Sequence, residues 1–373
     1  MLELLCTFEV DGLQTFEDSS TIMETGEPRT QEYLVQKEHH NGIIRVASYH
    51  RKDFELAVIK INPRDHERIR TSLVQPARLP ATNLGRLGVL PLEMLHEICQ
   101  LLDIRSLFKF RQVNLRAQEV VCAIYIYRMI TTYALEAVCA SLRTHIASWF
   151  TIRDLFNVMC TRDCVLCGAF GGFIFLPTFM RCCFPCIKSA RQLRLVSLAD
   201  VKKALNSSQA RLLNSVPVLR TTPGIYSMDE VPRRRRIQIL AEESIINAVQ
   251  GLPDKEKKIR LCRSNSEVSL LRYMATTALP FLDKANGGAE NGLCCNGCQI
   301  ALEESIRTSR INDSVFSLRD RVYSRAGFIE HFQRCAKAQA LWGSSNEGMV
   351  PVEVPESSRR GGYFNERNVV MSY

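Results

Sequence analysis

Two pairs of cysteines, Cys164/Cys167 and Cys183/Cys186, have the spacing in this chain best suited to chemistry: two residues within each pair and 15 between the pairs. A Cys-x-x-Cys knuckle turns the backbone so that two thiolates converge, and two knuckles supply the four soft donors of a closed tetrahedral zinc site. Cys160 and Cys182 are nearby substitutes or bystanders. A second set comprises Cys295 and Cys298 with, after a 32-residue gap, His331 and Cys335. The last two are four apart on a predicted helix, so both project from one face and can chelate together. Cys294 is an alternative to Cys295. The expectation is two structural zinc ions. Four protein donors at each leave no position for water or substrate, so hydrolytic metal catalysis is not expected. A nucleophile built from His331 and Cys335 lacks a third orienting group.

The rest of the composition agrees with metal-bound thiols. The chain has 373 residues, 46% hydrophobic and 23% charged, enough for about two domains with a real core. The start, MLELLCTFEVDG, lacks the basic and apolar pattern of a secretory signal. The most apolar stretch, Val120 to Ile130, is interrupted by Arg128 and falls short of a membrane span. A soluble protein of the cytoplasm or nucleus is expected, with no membrane partner. Fifteen cysteines in a reducing compartment favour metal over disulfides. The net charge is +9, yet residues 1 to 35 carry eight acidic side chains against Arg29 alone.

The elements that position the cysteines read as follows. Residues 1–85 are polar and punctuated, with one strand-like run at Phe54 to Ile61, and are expected to be weakly structured. Pro91 to Phe150 contains no proline after its first residue and no glycine, and Leu95, Ile98 and Leu102 recur at helical spacing. Between the first two knuckles, GAFGGFIFLPTFM fits a short β-hairpin or loop whose Phe170, Phe173, Phe175 and Phe179 form a miniature core. Ser197 and Asp200 open a helix that should end near Asn206. Residues 214–232 read as an irregular connector, 234–250 and 265–279 as helices, and 325–341 as a final amphipathic helix before a disordered tail. Arg233 to Arg236 is most simply a solvated helix start; a phosphate-binding patch would usually add stacking aromatics.

The run LGVLPLEMLHEICQLLDIRSLFKFRQVNLRAQEVV has its own local logic. Pro91 suits a first helical position, while Asp103 and Asn114 can cap a second and a third helix. Three helices in about 35 residues bury little, so such a unit needs a partner or a neighbouring domain. At Leu90, Pro91, Glu93, Ile98, Leu102, Asp103, Leu107 and Val113 it resembles the F-box motif. The resemblance implies a surface for the Skp adaptor of cullin-RING ligases, placed here on Leu90, Pro91, Ile98, Leu101, Leu107 and Val113. Together with FLPTFMRCCFPC, PVLRTTPGIYS and YSRAGFIEHFQRCAKAQALW, the stretch 87–342 is similar to a family of fungal F-box proteins with a cysteine-rich C-terminal region.

The resulting expectation is a mainly α protein: residues 1–85, an F-box at 86–130, an irregular, mostly helical zinc-stapled domain at 131–342, and a tail at 343–373. Its implied role is non-catalytic, as the substrate-recognition adaptor of a Skp/cullin/RING ubiquitin ligase acting in protein degradation. A zinc-finger-like nucleic-acid-binding or regulatory protein, with the F-box as a non-ligase module, is the alternative. The client cannot be read from the sequence.

Overall fold

The computed structural model describes residues 35–61, 71–73, 83–205, 213–249, 267–309 and 313–363. The fold is mainly α with several short sheets. Six helices follow one another over 92–159: Leu92–Leu101, Ile104–Arg111, Leu115–Ala123, Tyr125–Tyr133, Leu135–Arg143 and Ile152–Met159. The starts of three of them are set by side chains that accept from orphan N–H groups in the first turn. Asp103 accepts from Ser106 N at 2.9 Å, Asn114 from Ala117 N at 2.8 Å, and Thr151 with Asp154 forms a reciprocal capping box. Pro91 caps the first helix from just outside it, its φ of −55° and ψ of 150° being extended rather than helical.

These helices do not keep a core of their own. Leu95, Ile104, Leu107, Val121, Tyr127, Val138 and Leu155 belong to a single buried cluster. The same cluster takes in Phe173, Ile174, Phe175 and Cys182 of the cysteine-rich segment, and Phe54, Val58 and Ile59 from far upstream. The core is therefore continuous across residue 130. A second cluster joins Ile43, Ile44 and Ala47 to Cys295, Phe328, Phe332 and Trp342.

The strand pairings hold these parts together. Phe173–Phe175 and Met180–Cys182 form an antiparallel hairpin, as expected between the knuckles, and Thr276–Ala278 adds a third strand in register with Phe173–Phe175. Gln238–Ala241 lies between Leu195–Ser197 and Leu219–Arg220 in a second sheet. Ser48–Tyr49 pairs with Cys294–Cys295.

Several segments differ from the sequence reading. Residues 35–61, expected to be weakly structured, contain the helices His40–Ala47 and Lys52–Leu56, and of the expected strand only Ile59 makes a bridge, to Thr277. Apolar residues from this segment complete both clusters, which is what orders it. The helix expected at 234–250 is a strand, Gln238–Ala241, followed by a helix, Glu242–Ala248. The helix expected at 265–279 ends at Tyr273 and gives way to a strand at Thr276. In both places β-branched residues, Ile239 and Thr276/Thr277, sit fully buried in a pleated surface that favours them. The connector at 214–232 holds the hairpin Gly224–Tyr226/Val231–Arg233. Within the expected disordered tail, residues 343–363 are described and include a helix at Glu356–Arg360 whose Ser357 and Ser358 are buried; residues 364–373 lie outside the described residues. The helix expected to run to Asn206 ends at Ala204; residues 1–34, including the acidic start, lie outside the described residues.

Candidate metal centres and docking surface

At the first cysteine group the knuckle is built by a tight loop. Cys164 N donates to Ala169 O at 2.6 Å, and Gly168 N returns to Cys164 O at 2.9 Å. Gly168 has a φ of +72°, the left-handed turn that a side chain resists. The second knuckle is a strand-to-helix junction, in which Cys183 caps the helix Phe184–Ser189 and Cys186 lies in its first turn. The two converge so that the sulfur atoms of Cys164, Cys167, Cys183 and Cys186 all lie within 4.8 Å of one another. Cys167 and Cys183 are 3.5 Å apart. A tetrahedral ion with metal–sulfur bonds of about 2.3 Å requires sulfur–sulfur edges of about 3.8 Å, and separations in this range could hold a metal ion. Cys160 and Cys182 lie outside it, and burial pushes both thiols up, keeping them protonated. The four phenylalanines around the knuckles are buried, but Phe173, Phe175 and Phe179 join the main cluster and do not form a separate miniature core.

The second group assembles from three elements. Cys295 ends the strand paired with Ser48–Tyr49, Cys298 lies at the start of the helix Asn296–Arg307, and His331 is near the end of the helix Arg325–Phe332. His331 and Cys335 do not share a helix. The chain breaks after Phe332, and Cys335 is the extended residue (φ −102°, ψ 92°) before the helix Ala336–Ser344. The break lets Cys335 turn back to within 3.7 Å of Cys295, while His331 Nε2 approaches Cys298 Sγ at 3.3 Å. All four donor atoms again lie within 4.8 Å of one another. Cys294 lies outside the group, and burial raises its thiol to about 12.

Two further residues, not apparent from spacing, hold this group. Tyr323 stacks on the His331 ring, with centroids 4.6 Å apart, and its hydroxyl is 3.1 Å from Nδ1. Gly297 packs directly on the backbone of Lys337 and Ala338, and a Cβ there would overlap the Ala338 nitrogen. The approach of these two helices brings Cys298 and Cys335 together.

The thiols of each group are electrostatically unequal. Hydrogen bonding from Cys183 lowers Cys164 to about 4, whereas burial raises Cys186 to about 12 and the Cys164 hydrogen bond drives Cys183 upward. Likewise Cys295 and Cys298 hydrogen-bond Cys335 and lower its pKa, while the hydrogen bonds of Cys295 with Cys298 and then Cys335 push Cys295 up. Cys298, although Cys295 hydrogen-bonds its sulfur, is held at about 12 by its contact with Cys335 and by burial. Without added positive charge, Cys164 and Cys335 form thiolates readily, while Cys183, Cys186, Cys295 and Cys298 resist. A divalent cation would supply the missing charge and displace the remaining protons.

The docking residues are divided between surface and core. Leu90, Pro91, Ile98, Leu101 and Val113 are exposed, with Leu101 at 68% and Val113 at 69%. Leu107 is fully buried, turned in beside Ile104 and Phe108, so its expected place on the partner surface is corrected to the core. The exposed set is also larger than expected: Val89 at 86%, Leu92, Met94 and Leu115 are open as well. The helix Leu92–Leu101 buries Leu95 and Cys99 on one face and leaves Leu92, Met94, Ile98 and Leu101 on the other. An apolar second face is the signature of a helix that is covered when assembled. Arg153 reaches this helix from the side through an exposed ion pair with Glu97 at 3.0 Å.

Arg234, Arg235 and Arg236 are exposed on the link between two strands, not at a helix start. Among the described residues no helix is long and apolar enough to cross a membrane. No curated protein and no solved structure matches the chain. Residues 87–129, which carry the exposed apolar face, match the F-box domain, and the chain contains that domain.

Proposed function

We propose that the chain is the substrate-recognition adaptor of a Skp/cullin/RING ubiquitin ligase, binding the Skp adaptor through Leu90, Pro91, Ile98, Leu101 and Val113. The observation that carries this reading is the apolar outer face of Leu92–Leu101, lying inside the F-box match. The protein performs no bond chemistry itself. It raises the local concentration of a client beside a ligase-bound ubiquitin conjugate in the cytoplasm or nucleus. The likeness of residues 87–342 to the fungal cysteine-rich F-box proteins belongs to the same reading.

In this reading Cys164, Cys167, Cys183 and Cys186 hold one structural zinc, and Cys295, Cys298, His331 and Cys335 hold a second. The soft donors favour zinc over the harder divalent ions. The metals fix the fold around which a client is presented. Co-purification with the Skp adaptor tests the proposal: wild type recovers adaptor and cullin, and Leu101→Glu recovers neither. Equal recovery with the variant removes the adaptor role, and adaptor without cullin leaves the F-box as a non-ligase module.

A further inference from the structure

Between His40–Tyr49 and the C-terminal segment 348–359 runs a groove of about 400 Å³, with Asn296 at its floor. Asn296 is only 3% exposed. Its amide nitrogen donates to Val46 O and Ser48 O at 3.0 and 3.3 Å, which fixes the amide orientation. Its Oδ1 is left buried with no partner among the described residues, as is the hydroxyl of Ser358, 5% exposed, in the same lining. An unpaired buried polar atom costs about 1–3 kcal/mol and needs a reason. The charged side chains that line the groove are Arg45 and Arg359, the latter also paired at its surface side with Glu356 at 2.8 Å, and no carboxylate is among the lining residues.

One wall resembles an unpaired sheet edge. Val352 and Val354 are half-buried toward the groove while Pro351 and Glu353 are exposed, the alternation of a strand. Pro351 and Pro355 bias the residues before them to extended backbone. The peptide groups of Val352, Glu353 and Val354 make no backbone hydrogen bond among the described residues. At the lip, Met349 is 81% exposed. It follows three consecutive left-handed residues, Asn346, Glu347 and Gly348, with φ of 46°, 56° and 82°. Arg45 Nη2 donating to Gly348 O, and Gly348 N donating to Ser345 Oγ, both at 2.9 Å, brace this turn. Strain held in place beside an exposed apolar side chain marks a surface built to engage something.

We propose that this groove binds the client, and that the client presents an acidic, aliphatic-bearing peptide in extended conformation. Its main chain lies along Val352–Val354 as an added strand, its aliphatic side chains pack on Met349, Val352 and Val354, its carboxylates face Arg45 and Arg359, and a backbone N–H answers Asn296 Oδ1. The proposal rests on the adaptor reading for the word client, but the groove and its chemistry stand apart from the F-box.

The test uses the full-length, metal-loaded protein bound to the Skp adaptor, panned against phage-displayed random 12-residue peptides. Enriched sequences should carry Asp or Glu beside alternating aliphatic residues. Binding of the best-enriched synthetic peptide, followed by fluorescence anisotropy, should weaken at least tenfold in Arg45→Glu, Arg359→Glu and Met349→Glu. Arg359 and Met349 are solvent-facing, so those two variants keep the fold, and metal content and Skp adaptor recovery should match wild type. No enrichment, enrichment without an acidic bias, equal competition by inorganic phosphate, or unchanged affinity in Arg359→Glu and Met349→Glu would each overturn it. Peptide binding with no adaptor recovery would instead sink the ligase reading and leave the groove.

Discussion

The Tyr323 hydroxyl lies 3.1 Å from His331 Nδ1, while Nε2 of the same ring faces Cys298 Sγ at 3.3 Å. The two ring nitrogens thus have separate duties. If Nε2 is the metal donor, Nδ1 carries the proton and donates to the tyrosine oxygen, which fixes both tautomer and ring orientation. Tyr323→Phe removes that acceptor and keeps the stacking. We expect metal affinity at the second group to fall about 10- to 100-fold with the first unchanged. Competition with a chromophoric chelator measures this, and equal affinities would assign Tyr323 to packing alone.

Metal content separates the two groups. Purified wild type should hold two zinc ions. Cys186→Ser should hold one, as should Cys298→Ser. A chelator should loosen the segments around both groups, because each ion would tie together separate elements, seen as loss of near-ultraviolet circular dichroism. A single ion in wild type would demote one group, and none would end the zinc reading.

Binding should release protons. Cys186 and Cys298 sit near 12 in the metal-free protein, so at neutral pH they are protonated and must lose their protons to bind. The sign follows: apparent metal affinity rises with pH and falls on acidification, since protons compete for the same sulfur. Calorimetric titration in two buffers of different ionisation enthalpy measures the release. An enthalpy independent of buffer contradicts it.

Leu101 and Leu107 should have opposite effects. Leu101→Ala lies on an open face, so stability should change by no more than about 0.5 kcal/mol while Skp adaptor recovery drops. Leu107→Ala opens a cavity in the main core and should cost about 2–5 kcal/mol. Denaturant midpoints set beside pull-downs distinguish them.

That contrast marks where the sequence is readable. Caps and knuckles are local, since Asp103, Asn114, Ser197 and the Cys-x-x-Cys pairs act on residues within a turn of themselves. The knuckle pairs are legible for that reason, whereas the convergence of Cys164/Cys167 with Cys183/Cys186, and of Cys295/Cys298 with His331 and Cys335, depends on the packing of separate elements. The apolar residues near Leu92–Arg111 point both ways, so periodicity gives no phase by which to place Leu107 inside and Leu101 outside. Short strands such as Gln238–Ala241 and Ser48–Tyr49 exist only through partners about 20 to 250 residues away. The break before Cys335 likewise accompanies a contact with Cys295, 40 residues upstream, which the local sequence does not announce.

Gly297 shows how such a distant constraint can be tested. Its Cα lies against the backbone of Lys337 and Ala338, so an added methyl has no flexible neighbour to displace. Gly297→Ala is favourable for an isolated helix by about 1 kcal/mol, yet here it must push Asn296–Arg307 away from Ala336–Ser344. The sulfur atoms of Cys298 and Cys335 would separate with them. The expected outcome is a net loss of stability together with weaker metal binding at the second group, while the first keeps its ion. Thermal melts with and without added zinc read both effects, and a variant as stable as wild type with two tightly held ions would show that the helices part without cost.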